Sequence, residues 1–339
     1  MNELAIVAVT PSGLELGRRI AQAVGHGEVL PAEGEVRSKL TEVFLAGRPL
    51  VCIMALGIVV RTLGPLAKNK VTDAPVVVVD EAGQFAISVL GGHVGGANEL
   101  AKKVAKAINA VPVITTASDS LGLPPLDLIG REWGWKIEQR DNLKRVAAAM
   151  VRGETIAVYQ DAGRRDWWQP FGEWPSTFQR VTDLGLQGYW AGGLLITDIG
   201  WPSPLYPTVV YRPPTLVLGI GCRRGVPCSE IEAMFQNVCR TRGFSAFSLG
   251  VVATASLKAN EPGLVEFAAK HSVPIRSFGK EELAAVEDLP TPSEVVREKI
   301  GISGVAEPAA MLAAETTRLL MPKYRGERIT MALARRDDA

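Results

Sequence analysis

The first third of the chain alternates between continuous apolar runs and segments with helical periodicity. The runs LAIVAVT, PLVCIMAL, APVVVVD, QFAISVL and VPVITTASD predict five strands. The segments GLELGRRIAQAV and NELAKKVAKAINA are amphipathic, and the second places Leu100, Val104 and Ile108 on one helical face. Strands that are apolar on both faces and alternate with helices are typical of a parallel α/β sheet covered on both sides. In such sheets ligands bind at the carboxyl ends of the strands.

The hydrophobic pattern changes twice further along the chain. Residues 131–212 contain the seven tryptophans and are broken by prolines. After Pro213 and Pro214, TLVLGIGCRRGVPCSEIEAMFQNVC predicts strand, loop and helix, and the alternation continues to a last strand, RITMALARR. The predicted fold class is α/β. Two α/β modules with mostly parallel sheets, residues 1–130 and 213–339, are joined by a smaller Trp-rich central module, residues 131–212.

The tryptophans of the central module admit two interpretations. Large aromatic side chains form the core of a small module, and the spacing between prolines favours this first interpretation. Aromatic planes also suit a lid or a stacking surface for a flat, conjugated ligand. The sequence leaves both open.

Composition and charge argue against some classes of protein. The chain has 339 residues, with 37 basic and 36 acidic side chains and a net charge of +1. This balance argues against binding to nucleic acid through a broad basic field, although it allows a local basic pocket. The start MNELAIVAVT predicts a strand rather than a signal peptide, and no apolar segment approaches the ~20 residues that a membrane helix needs. Four cysteines do not form a disulfide framework. We therefore expect a cytoplasmic protein.

One predicted strand is followed by a glycine-rich loop. In SVLGGHVGGANELA, Gly91, Gly92, Gly95 and Gly96 surround His93, and a helix follows. Neither the dinucleotide fingerprint nor the Walker pattern is satisfied. Glycines allow a ligand to approach the backbone, and a helix N-terminus suits an anion. We expect the loop to contact a ligand, although a tight turn is the simpler alternative.

His93 lies inside that loop, and Asn98 begins the helix after it. An unperturbed imidazole pKa of ~6.5 suits a general acid or base, whereas a hydrogen bond that organises the loop is an equal alternative. Asn98 is expected to cap the helix. The dispersed histidines and unpaired cysteines lack metal-ligand spacing.

Further polar residues follow the predicted strands. Gly57 and Arg61 follow PLVCIMAL, Asp80 ends APVVVVD, and the cluster TTASD, which includes Asp119, follows another strand. Strand ends are where α/β enzymes place ligands. The alternative for TTASD is a helix cap.

The C-terminal module has its own candidate loop. In GIGCRRG, Gly221, Cys222 and Gly225 surround Arg223 and Arg224, whose guanidinium groups can bind carboxylates by paired hydrogen bonds. The cysteines could form a redox or metal pair, but a zinc site would need a second pair. A nucleophilic role for Cys222 lacks a histidine nearby in the sequence.

Two helices of this module are predicted to begin with a carboxylate and a proline. Lys258 and Glu261 precede Pro262, and Glu307 precedes Pro308. Proline suits the first turn of a helix, and a carboxylate suits its dipole, so ordinary helix caps explain both segments.

Taken in order, GIGCRRG, SLKANEPGLVEFA and GVAEPAAMLAA resemble the C-terminal module of the cobalt-precorrin-5A hydrolases, the CbiG family of anaerobic cobalamin biosynthesis. The segments MALGIVVRTLGPLAKNKVTDAPVVVVDEAG and VLGGHVGGANELA are similar to the N-terminal module of that family. The resemblance covers nearly the whole chain. It implies a hydrolase acting on carbon–carbon bonds. Water opens a δ-lactone between the ring A acetate and C20 of a cobalt-bearing tetrapyrrole, and the C20 fragment leaves as acetaldehyde to give cobalt-precorrin-5B.

The resemblance also implies partners, whereas the site residues are hypotheses drawn from the chemistry that lactone hydrolysis and a carboxylate-rich substrate require. The cobalt arrives with the substrate, so no protein-bound metal or other cofactor is expected. The expected partners are the tetrapyrrole and neighbouring enzymes of the pathway, without nucleic acid or membrane. His93 is the favoured base, and Glu261 and Glu307 are the next candidates. The residues expected to contact the carboxylate-rich substrate are Gly57, Arg61, Gly91, Gly92, Gly95, Gly96, Asn98, Gly221, Cys222, Arg223, Arg224, Gly225 and Lys258.

Two other functions remain open at this stage. A carrier would bind a corrinoid intermediate without cleaving it, and the C-terminal module resembles a stand-alone protein of the aerobic route. A nucleotide-dependent α/β enzyme is disfavoured because neither phosphate-binding fingerprint is met.

Overall fold

The structure is a computed structural model, and it describes residues 3–25, 27–69, 72–93, 95–138, 140–182, 190–200, 206–286, 289–291 and 304–337. The chain divides into two compact units, Met1–Leu128 and Ile129–Ala339. The described residues form three sheets, one in the first unit and two in the second. This is the mixed α/β architecture that the sequence predicts. The exact boundaries of the three modules stay a prediction.

The first unit is built on a sheet with the strand order β2-β1-β3-β4-β5-β6. Its strands are β1 (Ala5–Ala8), β2 (Glu28–Pro31), β3 (Leu50–Ile53), β4 (Val76–Val79), β5 (Phe85–Leu90) and β6 (Val111–Val113). Its helices are α1 (Pro11–Val24), α2 (Val36–Leu45), α3 (Leu56–Leu63), α4 (Ala97–Ile108) and α5 (Ala117–Ser120). The strand β2 and the helices α2 and α3 are additions to the elements that the sequence predicts.

Both faces of this sheet are buried, because successive side chains of a strand point to opposite faces. Ile6 packs with the residues of α1 and α4, whereas its neighbour Val7 packs with those of α2 and α3. All four valines of β4 are buried. The continuous apolar runs of the sequence therefore predict the covered sheet correctly.

The sheet is mostly parallel, as the sequence predicts, and among its described strands the exception is the pairing of β4 with β5. The strand β5 pairs antiparallel with β4, and β6 runs parallel to β5. The cause is a tight turn at Asp80, whose Oδ1 accepts a hydrogen bond from the Phe85 amide at 2.6 Å and whose Oδ2 accepts one from Ala82. Gly83 completes the turn at φ 66°, a left-handed conformation that suits glycine. Asp80 thus stabilises the turn of a β-hairpin, rather than binding a ligand at the end of a strand.

The second unit begins with a sheet of order β7-β11-β10-β8-β9. Its elements are β7 (Lys136–Ile137), α6 (Leu143–Val151), β8 (Ile156–Gln160), β9 (Phe178–Arg180), β10 (Gly192–Ile196) and β11 (Thr208–Arg212). Trp167 is completely buried and lies edge-on against Trp174, which in turn contacts Phe178 edge-on. This aromatic core agrees with the first interpretation of the tryptophans. Trp201 lies outside the described residues.

The last sheet has the order β14-β13-β12-β16-β15. Its strands are β12 (Leu216–Cys222), β13 (Leu249–Ala255), β14 (Ile275–Phe278), β15 (Leu319–Arg325) and β16 (Ile329–Arg335). Its helices are α7 (Cys228–Arg242), α8 (Pro262–His271), α9 (Lys280–Ala284) and α10 (Ala306–Ala314). The strands β12, β13 and β14 are parallel, whereas β16 is antiparallel to β12 and to β15. The sequence predicts these elements except β15 and α9, and it leaves β13 open as a helix or a strand.

Close packing of α10 against β12 explains one glycine of GIGCRRG. A Cβ atom on Gly219 would lie 1.9 Å from the carbonyl oxygen of Ala306. Only a residue without a side chain allows the helix to approach the strand so closely.

Over the described part of the chain, no helix is both long and apolar enough to span a bilayer.

Candidate functional site

The imidazole of His93 is held by side chains from the segment that follows β6. His93 Nε2 lies 2.7 Å from Asp119 Oδ2 and 3.2 Å from Ser118 Oγ. Its other ring nitrogen, Nδ1, lies 3.9 Å from Asp127 Oδ1. These residues meet because β5 and β6 are parallel neighbours, so the loop after β5 and the helix after β6 leave the sheet at the same end.

The glycines around His93 allow the loop to fold onto itself. The amides of Ala97 and Asn98 donate to the carbonyls of Gly91 and Gly92, both at 3.0 Å. The amide of Gly96 donates to the carbonyl of His93 at 3.0 Å. These backbone donors are therefore already used, and the expectation that the start of this helix offers them to an anion is revised. The loop instead fixes the position of His93.

The close spacing within the loop accounts for its glycines. Gly91 and Gly96 have φ values of 68° and 90°, and a Cβ atom on Gly95 would lie 2.7 Å from the Gly91 carbonyl oxygen. A Cβ atom on Gly92 would lie 3.1 Å from the side chain of Asn98. Conformation and close approach account for glycine at these positions, and contact of the loop with a ligand stays a prediction.

Asn98 has a role different from the predicted helix cap. The cap position is occupied by Gly96, and no side chain caps α4. Asn98 is 4% exposed, and its Nδ2 donates to Asp119 Oδ2 and to Thr116 Oγ1, both at 3.1 Å. Its Oδ1 accepts from Ser88 at 2.7 Å. Because the amide is buried and bonded on both sides, Asn98 positions Asp119, and its contact with substrate stays a prediction.

The arrangement defines which nitrogen of His93 can act as a base. A carboxylate next to Nε2 favours the tautomer with its proton on that nitrogen. Nδ1 then carries the lone pair, and it faces Asp127. The side chains of His93, Asp119 and Asp127 are 19%, 25% and 19% exposed, so a ligand can reach the group.

Gly57 and Arg61 lie at the other end of the same sheet. They belong to α3, which follows the carboxyl end of the parallel strand β3. The loop after β5 instead lies at the amino end of β4, where a Cβ atom on Gly91 would be 3.1 Å from Pro75 Cα. Within the first unit, the structure therefore does not bring Arg61 to His93. The Arg61 guanidinium is folded back over Gly57, 3.3 Å from the position of a Cβ atom there.

A second candidate site is a cavity of about 490 Å³ in the C-terminal sheet. It opens at the carboxyl ends of β12, β13 and β14, where parallel α/β sheets bind ligands. Four residues that the sequence predicts as substrate contacts line it: Gly221, Cys222, Arg223 and Lys258. Arg224 and Gly225 belong to the same loop but are absent from the described lining. The predicted loop therefore contributes only in part.

The cavity also contains cations that sequence reasoning missed. Lys280 comes from α9, Lys323 and Arg325 from β15, and Arg328 from the turn before β16. The segment MPKYRGERIT could have indicated Lys323, Arg325 and Arg328, because basic residues flank a glycine between two strand-like runs. Burial lowers the pKa of Lys323, the charge of Glu307 opposes this shift, and the charge of Arg325 adds a smaller lowering effect. Positive charges are thus crowded together in this cavity.

Glu261 is engaged by the protein itself. It is the residue before α8, and its carboxylate accepts hydrogen bonds from Lys258 Nζ at 2.8 Å and from the Gly225 amide at 3.1 Å. The hydrogen bond from Lys258 lowers the pKa of Glu261, and that from Gly225 lowers it further. A lowered pKa makes the carboxylate a weaker base, so Glu261 is disfavoured as the proton acceptor.

Glu307 is a structural residue. It is 2% exposed, and its carboxylate accepts from the Thr291 hydroxyl at 2.7 Å and from the Lys323 amide at 3.0 Å. It joins the start of α10 to β15 and to residue 291. Because it is buried and its oxygens are occupied, the prediction of Glu307 as an alternative base is not supported.

The cysteines do not form a redox or metal pair. All four are free, and Cys222 is the partly exposed one, whereas Cys52, Cys228 and Cys239 are buried. Burial raises the pKa of Cys222, which disfavours the nucleophilic thiolate. Among the described residues, no three His, Cys, Asp or Glu side chains are grouped as metal ligands.

The chain matches three family models over most of its length. The models described as cobalamin synthesis G N-terminal, cobalamin biosynthesis central region and cobalamin synthesis G C-terminus match residues 38–119, 124–213 and 216–334. A Priestia megaterium protein named cobalt-precorrin-5A hydrolase is 34% identical over 355 residues, covering 98% of this chain and 95% of that protein.

Two further relatives match all or part of the chain. A Salmonella typhimurium protein, also named cobalt-precorrin-5A hydrolase, is 29% identical and covers 98% of this chain and 97% of its own length. The protein CobE of a Sinorhizobium species is 34% identical over 121 residues, covering 35% of this chain and 79% of that protein. The three models and the full-length identity together place this chain in the CbiG family of cobalamin biosynthesis, the family of the cobalt-precorrin-5A hydrolases.

Proposed function

We propose that this chain hydrolyses cobalt-precorrin-5A. The reaction opens the δ-lactone between the ring A acetate and C20, releases the C20 fragment as acetaldehyde and leaves cobalt-precorrin-5B. Full-length similarity to relatives with this named activity supports the proposal. The structural observation that carries it is the pairing of His93 Nε2 with Asp119 at 2.7 Å, which leaves Nδ1 as a base next to a second carboxylate.

Lactone opening needs a group that removes a proton from the attacking water. In the proposed first step, His93 Nδ1 takes this proton while the water oxygen bonds to the lactone carbonyl carbon. The tetrahedral intermediate then collapses, and the bond from the acyl carbon to the C20 oxygen breaks. The ring A acetate keeps the water oxygen. The imidazolium returns its proton to the C20 oxygen, so that the base is regenerated.

Loss of acetaldehyde is a carbon–carbon cleavage. The released C20 hydroxyl gives up its proton as its oxygen forms a carbonyl, and the bond between C20 and the macrocycle breaks. The electron pair moves into the conjugated, cobalt-bearing ring of the substrate, and a ring carbon takes up a proton. Since the substrate itself accepts the electrons, the protein needs to supply positioning and proton transfer.

The proposal has consequences for cofactors and partners. Cobalt enters as part of the substrate, and we propose that the chain uses no cofactor of its own. The reaction class requires an enzyme that supplies the lactone and another that consumes the opened product, which makes neighbouring pathway enzymes the expected partners. We place the protein in the cytoplasm and expect no nucleic-acid partner.

The test is acetaldehyde release from anaerobically prepared substrate. We expect release with the native chain and a loss of about 10²-fold or more with His93→Ala, at unchanged substrate binding. Glu99→Gln is the matched control, because Glu99 lies on the exposed surface of α4 and pairs with Lys102. Equal release from native chain and His93→Ala would contradict the role of His93. Tight binding without acetaldehyde from any form would favour a carrier.

A further inference from the structure

The cavity of the C-terminal sheet has a strong excess of positive charge. Its described lining contains one acidic residue, Glu327, and six basic ones. The basic residues are Arg223, Lys258, Lys280, Lys323, Arg325 and Arg328. A concave surface lined by one sign of charge concentrates ligands of the opposite sign. The net charge of the whole chain is only +1, so it does not indicate this local excess of positive charge.

Among the described residues, three of these cations lack a carboxylate partner, whereas two others have one. Lys258 pairs with Glu261 at 2.8 Å, and Arg328 pairs with Glu230 at 3.3 Å. Within the described part of the chain, no acidic side chain lies at ion-pair distance from Arg223, Lys280 or Arg325. Cations that lack a carboxylate partner among the described residues and share one concave site favour binding of a ligand that carries negative charge.

The remaining lining is largely apolar. Phe278, Leu283, Val305 and Ile329 face the cavity, together with Leu257. Leu257 is 84% exposed, which is unusual for a large apolar side chain next to a cavity. A ligand that covered Leu257 would remove apolar surface from water. The site therefore suits a ligand with an apolar body and several negatively charged edge groups.

We propose that this cavity binds the carboxylate-bearing edge of the tetrapyrrole, with Arg223 and Arg325 as the main carboxylate ligands. Arg223 follows the carboxyl end of β12, and Arg325 ends β15 on the other side of β16. A guanidinium group presents paired donors that match a carboxylate. The inference rests on the proposed function for the identity of the ligand, and it assigns the substrate class to this one cavity.

The test uses uroporphyrin, a flat tetrapyrrole with eight carboxylates, as a probe of the full chain. Binding is followed by the change in its visible absorption at low and at moderate salt. We expect Arg223→Ala and Arg325→Ala each to weaken binding about tenfold, the effect of losing one charge-assisted hydrogen bond. Arg318→Ala is the matched control, because Arg318 precedes β15 whereas Arg325 ends it. It removes the same charge far from the cavity, and we expect less than a twofold change.

The outcomes distinguish specific binding in the cavity from a general effect of the chain's charge on binding. An equal loss of binding in all three variants would overturn the proposal, because overall charge would then explain it. Unchanged binding in all three would also overturn it. Circular dichroism and thermal melting of each variant show whether the chain is folded, and Arg223→Lys and Arg325→Lys keep the charge if an alanine variant unfolds. Partial retention of binding in the lysine variants supports carboxylate recognition.

Acetaldehyde release distinguishes failure of this inference from failure of the proposed function. Raised KM with unchanged kcat in the two arginine variants supports both. Acetaldehyde release with an unchanged KM would overturn the cavity as substrate site while the hydrolase function stands. Cavity-dependent porphyrin binding without acetaldehyde from the native chain would overturn the hydrolase function, while the cavity would remain a tetrapyrrole site.

Discussion

His93 Nε2 lies 2.7 Å from Asp119 Oδ2, although the two residues are 26 positions apart in the sequence. The parallel pairing of β5 and β6 brings them together, and Asn98 holds Asp119 from the buried side. In the proposed mechanism this contact favours the tautomer with its proton on Nε2, which leaves Nδ1 for proton transfer. The catalytic proposal therefore depends on a pair of residues rather than on the histidine alone.

Asp119→Asn should lower kcat for acetaldehyde release by about 10²- to 10⁴-fold and leave KM nearly unchanged. A neutral amide neither favours the proton on Nε2 nor stabilises the imidazolium. The measurement is steady-state acetaldehyde formation, with Glu99→Gln as the surface control. A kcat equal to that of the native chain would show that the contact between Asp119 and His93 is structural only.

Asn98→Ala should lower the free energy of unfolding by about 1–3 kcal/mol. The substitution removes an amide that is 4% exposed and leaves Ser88, Thr116 and Asp119 without its hydrogen bonds. Urea denaturation measures the change. Glu99→Ala, at the neighbouring exposed residue, is the control. It should change the free energy of unfolding by no more than about 0.5 kcal/mol. Similar values for the two variants would argue against a buried network at Asn98.

Asp161→Asn should raise the melting temperature at neutral pH. Burial raises the pKa of Asp161, and the nearby Asp198 raises it further. An acid whose pKa is raised on folding destabilises the folded chain when it is ionised. The substitution removes this cost, so the gain in stability is complete above the pKa of the folded state. The gain should disappear as pH falls below the ordinary value of an aspartate, near 4, where both forms are neutral.

Asp166→Asn is the control with the opposite sign. The hydrogen bond from Arg164 lowers the pKa of Asp166. Its carboxylate therefore contributes stability above the ordinary aspartate pKa, and this contribution is lost as pH falls through the lowered value. Thermal melts between pH 3 and 8 compare the two variants. A fall in melting temperature for Asp161→Asn at pH 7 would contradict the assigned direction.

Gly219→Ala should destabilise the chain by about 1–3 kcal/mol or more, because the new methyl group would meet the Ala306 carbonyl and force α10 away from β12. Gly57→Ala is the matched change in α3, where the nearest atom belongs to the flexible end of Arg61 at 3.3 Å. It should stabilise by about 0.5–1 kcal/mol. Denaturation curves for both variants test the contrast, and equal effects would contradict the close packing at Gly219.

Most strands and helices are encoded locally. The continuous apolar run of β4 and the periodic positions of α4 predict their type and burial, because each pattern depends on residues only a few positions apart. Short elements with weak patterns, such as β2, are missed for the same reason. The hairpin at Asp80 could have been predicted from the sequence, because an aspartate and a glycine separate two apolar runs there.

The sequence by itself determined the α/β class, the presence of the glycine-rich loop around His93 and the family that its motifs resemble. The tertiary structure decided the direction of β5 and β6, and with it the contact of His93 with Asp119 and the separation of both from Arg61. It also gathered cations from α9, β15 and the turn before β16 around one cavity. Local periodicity follows from neighbouring residues, whereas strand direction and a shared site depend on contacts between segments far apart in the chain.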